Sequence, residues 1–304
     1  MKCLRGVTML SNILSQPICV FHVGEFGKIA QDYLINIKSQ FFDLTPDMYL
    51  LRQKQLEFLI ENGQQKSNKT RMDDNCELFS NYFAGDLDAS CLNHLLNELD
   101  NKQLSAYKAI KPSRQRSIAD FKLFCTPSEI QIERITKSGF QQQHALISSA
   151  TKQRDWRICE RHFTQADDLF VSEGLYHIIR GVANKILKCN PDIMSFDLAV
   201  HFTHITSTID AISSNSPEGI HQDGMDYIVS ALVVNRENAL GGKSIIYGKD
   251  KTTPLLETTL MPGLGILQPD KDTDLWHCVE PIVPENTTVT ACRSTIGFDF
   301  AISN

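Results

Sequence analysis

The pattern of the chain changes at Asn190-Pro191, and this change limits the folds that are possible. From there on, short apolar segments alternate with turn-forming breaks at Gly241-Gly242, Pro262-Gly263 and Pro284-Glu285-Asn286. Strands are predicted over residues 196–207, 226–235, 243–248, 255–260, 264–268, 276–283 and 294–302. Short strands at this spacing are typical of a sandwich or jelly roll rather than of a parallel α/β sheet.

The residues before Asn190 have helical periodicity instead. Helices are predicted over two segments within 24–62, the second beginning after Thr45-Pro46, and over 86–99 and 170–187. The polar stretch 141–161 is predicted to be a loop or a mobile segment. Helices in front of strands make the predicted fold class α+β, a double-stranded β-helix (jelly roll) core with N-terminal helices packed on its outer face.

One further helix is predicted from a local start signal. Thr126-Pro127-Ser128-Glu129 has the form of a capping box with proline at the first helical position. The predicted helix carries Ile130, Ile132 and Ile135 and ends at Lys137-Ser138-Gly139.

The segment from Gly63 to Asn75 has almost no apolar content, which indicates an exposed loop or a linker. As a linker it divides the chain into an N-terminal helical accessory segment, 1–75, and a main domain, 76–304, with the jelly-roll core from about residue 196. A long surface loop within one domain is an equally good interpretation.

The composition is that of an ordinary soluble globular protein, with 42% hydrophobic and 22% charged residues among 304. The net charge of -6 gives no reason to expect nucleic acid as a partner, and the short basic cluster 111–116 is interpreted as a solvated loop. Nine scattered cysteines without a Cys-x-x-Cys pair indicate free thiols in a reducing compartment, so a cytoplasmic location is expected. Neither a signal peptide nor a membrane span is predicted.

A candidate metal site begins at His221 and Asp223, which follow the turn-like segment 214–219. Side chains two residues apart leave the same face of an extended segment, so both can reach one ion. Such a pair is weak evidence alone, but His277 lies on a separate apolar strand and can supply a third ligand. Two histidines and one carboxylate are the facial triad of non-haem Fe(II) sites, which leaves positions open for substrates and O2.

Three other polar residues on predicted strands have alternative interpretations. His201 and His204 are three residues apart and point to opposite faces of their strand, so at most one points inward, and a core or surface role is expected for each. Asn235 ends an apolar strand, where it either hydrogen-bonds a cosubstrate or caps the following turn.

Four separate pieces of the sequence resemble a known enzyme family. They are Pro217-Glu218-Gly219-Ile220-His221-Gln222-Asp223, then 233–238 with Gly241-Gly242, then 275–282 around His277, and Arg293 before the last strand. In order and spacing they resemble Fe(II)/2-oxoglutarate dioxygenases of the isoleucine-hydroxylase type, over residues 196–302.

The resemblance implies a role for each matching residue. His221, Asp223 and His277 are expected to bind Fe(II) and Arg293 to pair with the distal carboxylate of 2-oxoglutarate. Asn235, for which the turn cap stays an equal alternative, is the candidate for a second cosubstrate contact. A guanidinium offers a fixed fork to a carboxylate. The implied reaction uses O2 to hydroxylate an unactivated carbon of a free L-amino acid with an aliphatic or thioether side chain. Succinate and CO2 are the coproducts, and ascorbate is the expected reductant in vitro.

A free amino acid needs a cation for its carboxylate, an acceptor for its ammonium and an apolar slot. The candidate cations are Arg154, Arg157, Arg161 and Arg180, and the candidate acceptors are Glu218 and Asp226. Three alternatives remain. The first is the same chemistry on a peptide, carrier-bound amino acid or natural-product intermediate, and the second is a non-catalytic jelly-roll binding module. The third is a metal-dependent, cupin-like enzyme that does not use 2-oxoglutarate, for which Arg293 has no role.

Overall fold

The structure, a computed structural model, describes residues 18–63, 75–148 and 154–303. Its α-helices are α1 (Lys28–Asn36), α2 (Met48–Gly63), α3 (Cys76–Ala84), α4 (Asn93–Leu96), α5 (Asn101–Ala109) and α6 (Glu173–Leu187). Its strands are β1 (Cys19–His22), β2 (Arg114–Cys125), β3 (Ile130–Ile135), β4 (Leu146–Ile147), β5 (Ser195–Ser207), β6 (His221–Gln222), β7 (Tyr227–Glu237), β8 (Ala239–Gly241), β9 (Ser244–Tyr247), β10 (Pro254–Thr258), β11 (Leu264–Pro269), β12 (Trp276–Val279), β13 (Ile282–Pro284) and β14 (Ala291–Ile302).

The strands form two principal antiparallel sheets. The large sheet has seven strands in the order β1-β11-β7-β14-β5-β2-β3, and the small sheet has five in the order β10-β9-β12-β6-β4. β8 and β13 form a separate two-stranded sheet. The α+β class is confirmed, and each strand predicted after Asn190 lies close to an observed one.

The two faces of the large sheet have different chemistry, because successive side chains of a strand point to opposite faces. On β14, Ile296, Phe298 and Phe300 are fully buried and belong to the main apolar core, together with the apolar stripes of α1 and α6. On the other face of the same strand, Thr295 and Asp299 line an internal cavity. The helices therefore cover one face and leave the other for a site.

A second, smaller core lies among α2, α3, α4 and α5, where Leu56, Phe79 and Leu92 are fully buried. Asp47, just before α2, forms an ion pair of 2.8 Å with Arg114 of β2 and so connects this helical part to the large sheet. Residues 64–74 of the predicted linker lie outside the described residues, and a division near residue 75 stays a prediction.

The helix predicted after Thr126 is wrong. Residues 130–135 form strand β3, paired with β2 from Cys125↔Ile130 to Asp120↔Ile135, rather than a helix. Thr126 Oγ1 accepts a hydrogen bond from the Glu129 amide, so the apparent helix start is a tight turn between two strands. The β structure also begins well before residue 196, because β1, β2 and β3 belong to the large sheet.

The predicted helix over 86–99 is only partly helical, with a 3-10 turn at Ala89–Leu92 followed by the single turn of α4. The described parts of 141–161 are irregular apart from β4 and a 3-10 turn at Trp156–Ile158. No disulfide joins the cysteines of the described segments. Within those segments, none of the helices has the length and apolar character needed to cross a membrane.

Candidate metal centre and cosubstrate site

The centre is built where β6 pairs with β12. His221 lies directly opposite His277 in this pairing, and the two buried imidazole rings have centroids 4.1 Å apart. Gly224 turns the chain immediately after Asp223 with φ of 79°. A Cβ at this glycine would lie 2.3 Å from the carbonyl carbon of His144, so the turn needs glycine for space as well as for conformation.

The three predicted ligands meet at this point. Asp223 has one carboxylate oxygen 3.6 Å from His221 Nε2 and the other 3.3 Å from His277 Nε2. One candidate ligand atom from each residue lies within 4.8 Å of the others. His221 Nδ1 lies 2.8 Å from the Gly219 carbonyl oxygen, an acceptor only, so Nδ1 carries the proton and Nε2 keeps its lone pair.

Two residues from outside the strands hold the carboxylate of Asp223. Gln142 Nε2 and an Arg157 guanidinium nitrogen donate to its Oδ1 over 2.8 and 3.1 Å. Burial by itself raises the pKa of Asp223, but the hydrogen bond from His277 and the charges of His221, His277 and Arg157 outweigh it and keep the pKa well below its usual range. The group is thus an anion.

A second carboxylate lies behind His277. Asp270 is fully buried, accepts a hydrogen bond from the Gly224 amide over 2.7 Å, and has its other oxygen 3.5 Å from His277 Nδ1. Burial lowers the pKa of His277, yet the close carboxylates of Asp223 and Asp270 outweigh it and raise the pKa to about 10. The imidazole is therefore held between two acidic groups, which fixes its orientation.

Arg293 is fully buried on β14. One terminal nitrogen donates to Asn215 Oδ1 over 3.0 Å, whereas Nε and the other terminal nitrogen have no hydrogen-bond partner among the described residues. Burial, with some repulsion from Arg236, lowers its pKa to about 9. A buried donor without an acceptor destabilises the folded protein, so these two nitrogens of Arg293 form a candidate binding site for an anion. Asn215 and Thr295, which line the cavity, lie beside it.

Asn235 does not join this group. It pairs with Ser294 in the β7–β14 register, whereas Arg293 pairs with Arg236. Its side-chain amide points to the Cys292 sulfur at 4.0 Å, on the face of the sheet away from Arg293. The expected contact with a cosubstrate is therefore not supported by its position.

A cavity of about 120 Å³ opens between the triad and the large sheet. Of the candidate substrate residues, Arg157, Arg161 and Glu218 line it, whereas Arg154, Arg180 and Asp226 do not. Glu218 lies 3.2 Å from His221 Nε2, closer to the triad than the sequence indicates.

The cavity also has lining residues that the sequence analysis missed or assigned elsewhere. Arg114 and Arg116 line it, so the solvated-loop interpretation of 111–116 is wrong for them, although Lys111 is exposed. Their spacing of two on a strand is the signal that places both on one face. His201 points inward and His204 outward against Phe42, as the expectation of opposite faces required.

Two histidines and a carboxylate beside a cavity, over antiparallel sheets, are characteristic of non-haem Fe(II) oxygenases. The family profile described as 2OG-Fe dioxygenase matches residues 98–299, and the chain belongs to this family. It is therefore a dioxygenase that uses Fe(II), 2-oxoglutarate and O2. The non-catalytic interpretation and the one without 2-oxoglutarate are thereby set aside.

The chain is also similar to several solved structures. A bsmA homologue from Methylobium petroleophilum PM1 matches with a TM-score of 0.62 and 15% identity, over 99% of this chain and 94% of that one, which shows a shared fold. IDO from Bacillus thuringiensis matches with a TM-score of 0.48 and 18% identity over 63% and 76% of the two chains. The Fe(II)/α-ketoglutarate-dependent dioxygenase TqaL matches with 0.43 and 12% over 77% and 89%. No curated protein matches the sequence.

Proposed function

We propose that this dioxygenase binds Fe(II) through His221, Asp223 and His277 and hydroxylates an unactivated carbon of a free L-amino acid with an aliphatic or thioether side chain. The observation that carries the metal assignment is the convergence of three ligand atoms within 4.8 Å in a buried setting. The two sheets that enclose the cavity are, in this proposal, the halves of a double-stranded β-helix.

The donor set suits ferrous iron. Two imidazoles and one carboxylate are the donors of the facial triad that holds Fe(II) in non-haem oxygenases, and this small donor set would leave the ion accessible to other ligands. The carboxylate of Asp223 is ionised, and His221 already has the tautomer in which Nε2 is free to bind a metal. Asp270 behind His277 is the kind of acidic partner that metal-binding histidines have.

Arg293 suits the distal carboxylate of 2-oxoglutarate. Its two unpartnered nitrogens are the two parallel donors that a carboxylate accepts, and its surroundings are dry, which strengthens such a pair. The remaining terminal nitrogen of Arg293 donates to Asn215, and this hydrogen bond fixes the orientation of the guanidinium group.

When bound, Fe(II) and 2-oxoglutarate supply the oxidative chemistry, in which O2 converts 2-oxoglutarate to succinate and CO2 and hydroxylates the substrate. The residues of the chain position the reactants. Arg157 and Gln142 hold Asp223 in place, and the buried wall of the cavity limits access of water to the reaction.

The residues that line the cavity include charged groups and apolar surface suited to the charged groups and the side chain of an amino acid. Arg161 is a cation, Glu218 is an acceptor for an ammonium group, and Val229 and Val279 supply apolar surface. Arg157, the other candidate cation in the lining, already pairs with Asp155 and Asp223. A volume of about 120 Å³ is suited to a small molecule rather than to a folded partner.

The test is succinate formation by the purified protein with Fe(II), ascorbate, O2 and 2-oxoglutarate, with and without the pool of common L-amino acids. We expect succinate to rise with the pool and to be absent for His221→Ala. Succinate that depends on His221 but ignores the pool would retain the enzyme and refute the amino-acid substrate. Equal succinate from wild type and His221→Ala would refute the metal site.

A further inference from the structure

Two arginines in the cavity share the same pair of aromatic rings. The guanidinium carbon of Arg116 lies 4.4 Å from the ring centre of Phe163 and 5.9 Å from that of Phe140. For Arg161 the corresponding distances are 5.5 and 5.2 Å. The two cations therefore share one aromatic environment, one supplied by β2 and the other by the irregular segment after residue 154.

The other two arginines of the cavity have carboxylate partners. Arg114 pairs with Asp47 at 2.8 Å, and Arg157 pairs with Asp155 at 2.7 Å and Asp223 at 3.1 Å. Within residues 18–63, 75–148 and 154–303, neither Arg116 nor Arg161 has a carboxylate oxygen within 4.0 Å of its guanidinium nitrogens. The cavity thus contains two neighbouring cations without an ion-pair partner.

Each of these two arginines also has an unused donor. The Nε atoms of Arg116 and Arg161 are buried and have no hydrogen-bond partner among the described residues. Arg161 is only 5% exposed, so bulk water does not supply an acceptor for its unpartnered Nε donor. Burial and the charges of neighbouring arginines lower the pKa of Arg161 to about 10 and that of Arg116 to about 9. An anion bound by both arginines offsets the free-energy cost of burying their charges and leaving these donors without acceptors.

Asp299, an acidic group that lines the cavity, is not available as that anion. An Arg116 terminal nitrogen lies 2.7 Å from His201 Nδ1, so it donates there and leaves the proton of His201 on Nε2, 3.2 Å from Asp299 Oδ2. Burial raises the pKa of Asp299 to about 8, and burial lowers the pKa of His201. Near neutral pH this pair is predominantly uncharged, so it holds Arg116 in position without neutralising it.

We propose that Arg116 and Arg161 form a cradle for a free carboxylate of the substrate, distinct from the cosubstrate site at Arg293. This inference rests on the proposed function for the reaction and names the substrate class: an acid with an unmodified carboxylate. A carboxylate accepts hydrogen bonds from two guanidinium groups at once, whereas an amide or thioester brings no charge. A carrier-bound or peptide-internal residue has no α-carboxylate to offer, so the cradle favours the free acid.

The first experiment compares acids with amides on the wild-type protein, loaded with Fe(II) and saturating 2-oxoglutarate under anaerobic conditions. The probes are the pool of L-amino acids and the pool of their primary amides, and the readout is the thermal unfolding midpoint. We expect the acids to raise the midpoint and the amides to leave it unchanged. Equal shifts from both pools, or no shift from the acids, would overturn the cradle.

The second experiment uses Arg161→Met and Arg116→Met. Each should weaken the midpoint response to the acid pool by about tenfold in concentration, since a hydrogen bond to a charged group is lost. The response to 2-oxoglutarate should not change, because Arg293 is untouched. Arg154→Met is the matched control, as Arg154 packs on Trp156 and does not line the cavity. An unaltered acid response in both cavity variants would contradict the assignment.

Failure of the reaction and failure of the cradle give different results. If the loaded protein forms no succinate in air yet shows the acid-specific midpoint shift, the proposed reaction is wrong and the cradle stands. If succinate forms and amides stimulate it as strongly as acids do, the reaction stands and the cradle is wrong.

Discussion

Replacing Arg293 by methionine is expected to stabilise the protein without its ligands and to remove tight binding of 2-oxoglutarate. Burial lowers the pKa of Arg293 from the ordinary value of an arginine to about 9, which corresponds to about 5 kcal/mol against the charged form in the unliganded protein. Methionine fills similar space without charge, and the substitution forfeits one hydrogen bond to Asn215, worth about 1 kcal/mol. We expect the free energy of unfolding to rise by about 1–4 kcal/mol, the range found when buried charges are replaced by apolar side chains.

The assay for stability is urea unfolding of the protein free of metal and 2-oxoglutarate. Binding of 2-oxoglutarate should weaken about 100-fold or more, because two charge-assisted hydrogen bonds are lost. A 2-oxo acid without the distal carboxylate should bind both proteins equally. Arg236→Met is the control: its guanidinium already donates to the carbonyls of Ala239 and Gly241, so its loss should destabilise. A less stable Arg293→Met protein, or one that binds 2-oxoglutarate normally, would refute the reasoning.

Three further substitutions test the rest of the site. Asp223→Ala should leave the purified protein without stoichiometric iron after reconstitution, as measured by metal analysis; full iron content would exclude Asp223 as a ligand. Asp270→Asn should weaken iron binding about 10–100-fold, since the partner of His277 loses its charge, and an unchanged titration with Fe(II) would show that Asp270 does not orient His277. Asp299→Asn should make the free energy of unfolding depend less on pH. Burial raises the pKa of Asp299 from 3.8 to about 8, so between these values the folded protein holds a proton that the unfolded chain releases, and stability falls as pH rises, by at most about 1.4 kcal/mol per pH unit. Urea midpoints between about pH 5 and 8 measure this slope, and an identical slope in Asp299→Asn would contradict it.

The sequence was sufficient to predict the longer strands after residue 195, because they are apolar segments and several are separated by glycine or proline, whereas the short strands β6 and β8 were not predicted as strands. It also identified the three residues that meet at β6 and β12. His221 and Asp223 are related by local spacing, whereas His277 was selected by its strand and by the family resemblance. The role of these residues as iron ligands remains a prediction.

The missed features depend on distant pairing. Arg114 and Arg116 look solvent-exposed in the sequence, yet β2 pairs with β5 and turns them toward the cavity. Residues 130–135 have isoleucines at positions that fit a helix as well as a strand, and only β2 decides between the two. Asp270 has no local signal, because its partner His277 lies on another strand.

The side chains around the cavity come from two separate stretches of the chain. The proposed iron ligands follow residue 195, and so does Arg293, which contacts the lining residue Asn215, whereas Arg116 and Arg161 precede residue 162. Substitutions at Arg116 and Arg161 can therefore change which molecule is accepted without touching a proposed iron ligand. Such a division allows substrate range to diversify during evolution, and a chimaeric enzyme that exchanges these positions between relatives has to keep Gln142 and Arg157, which hold Asp223.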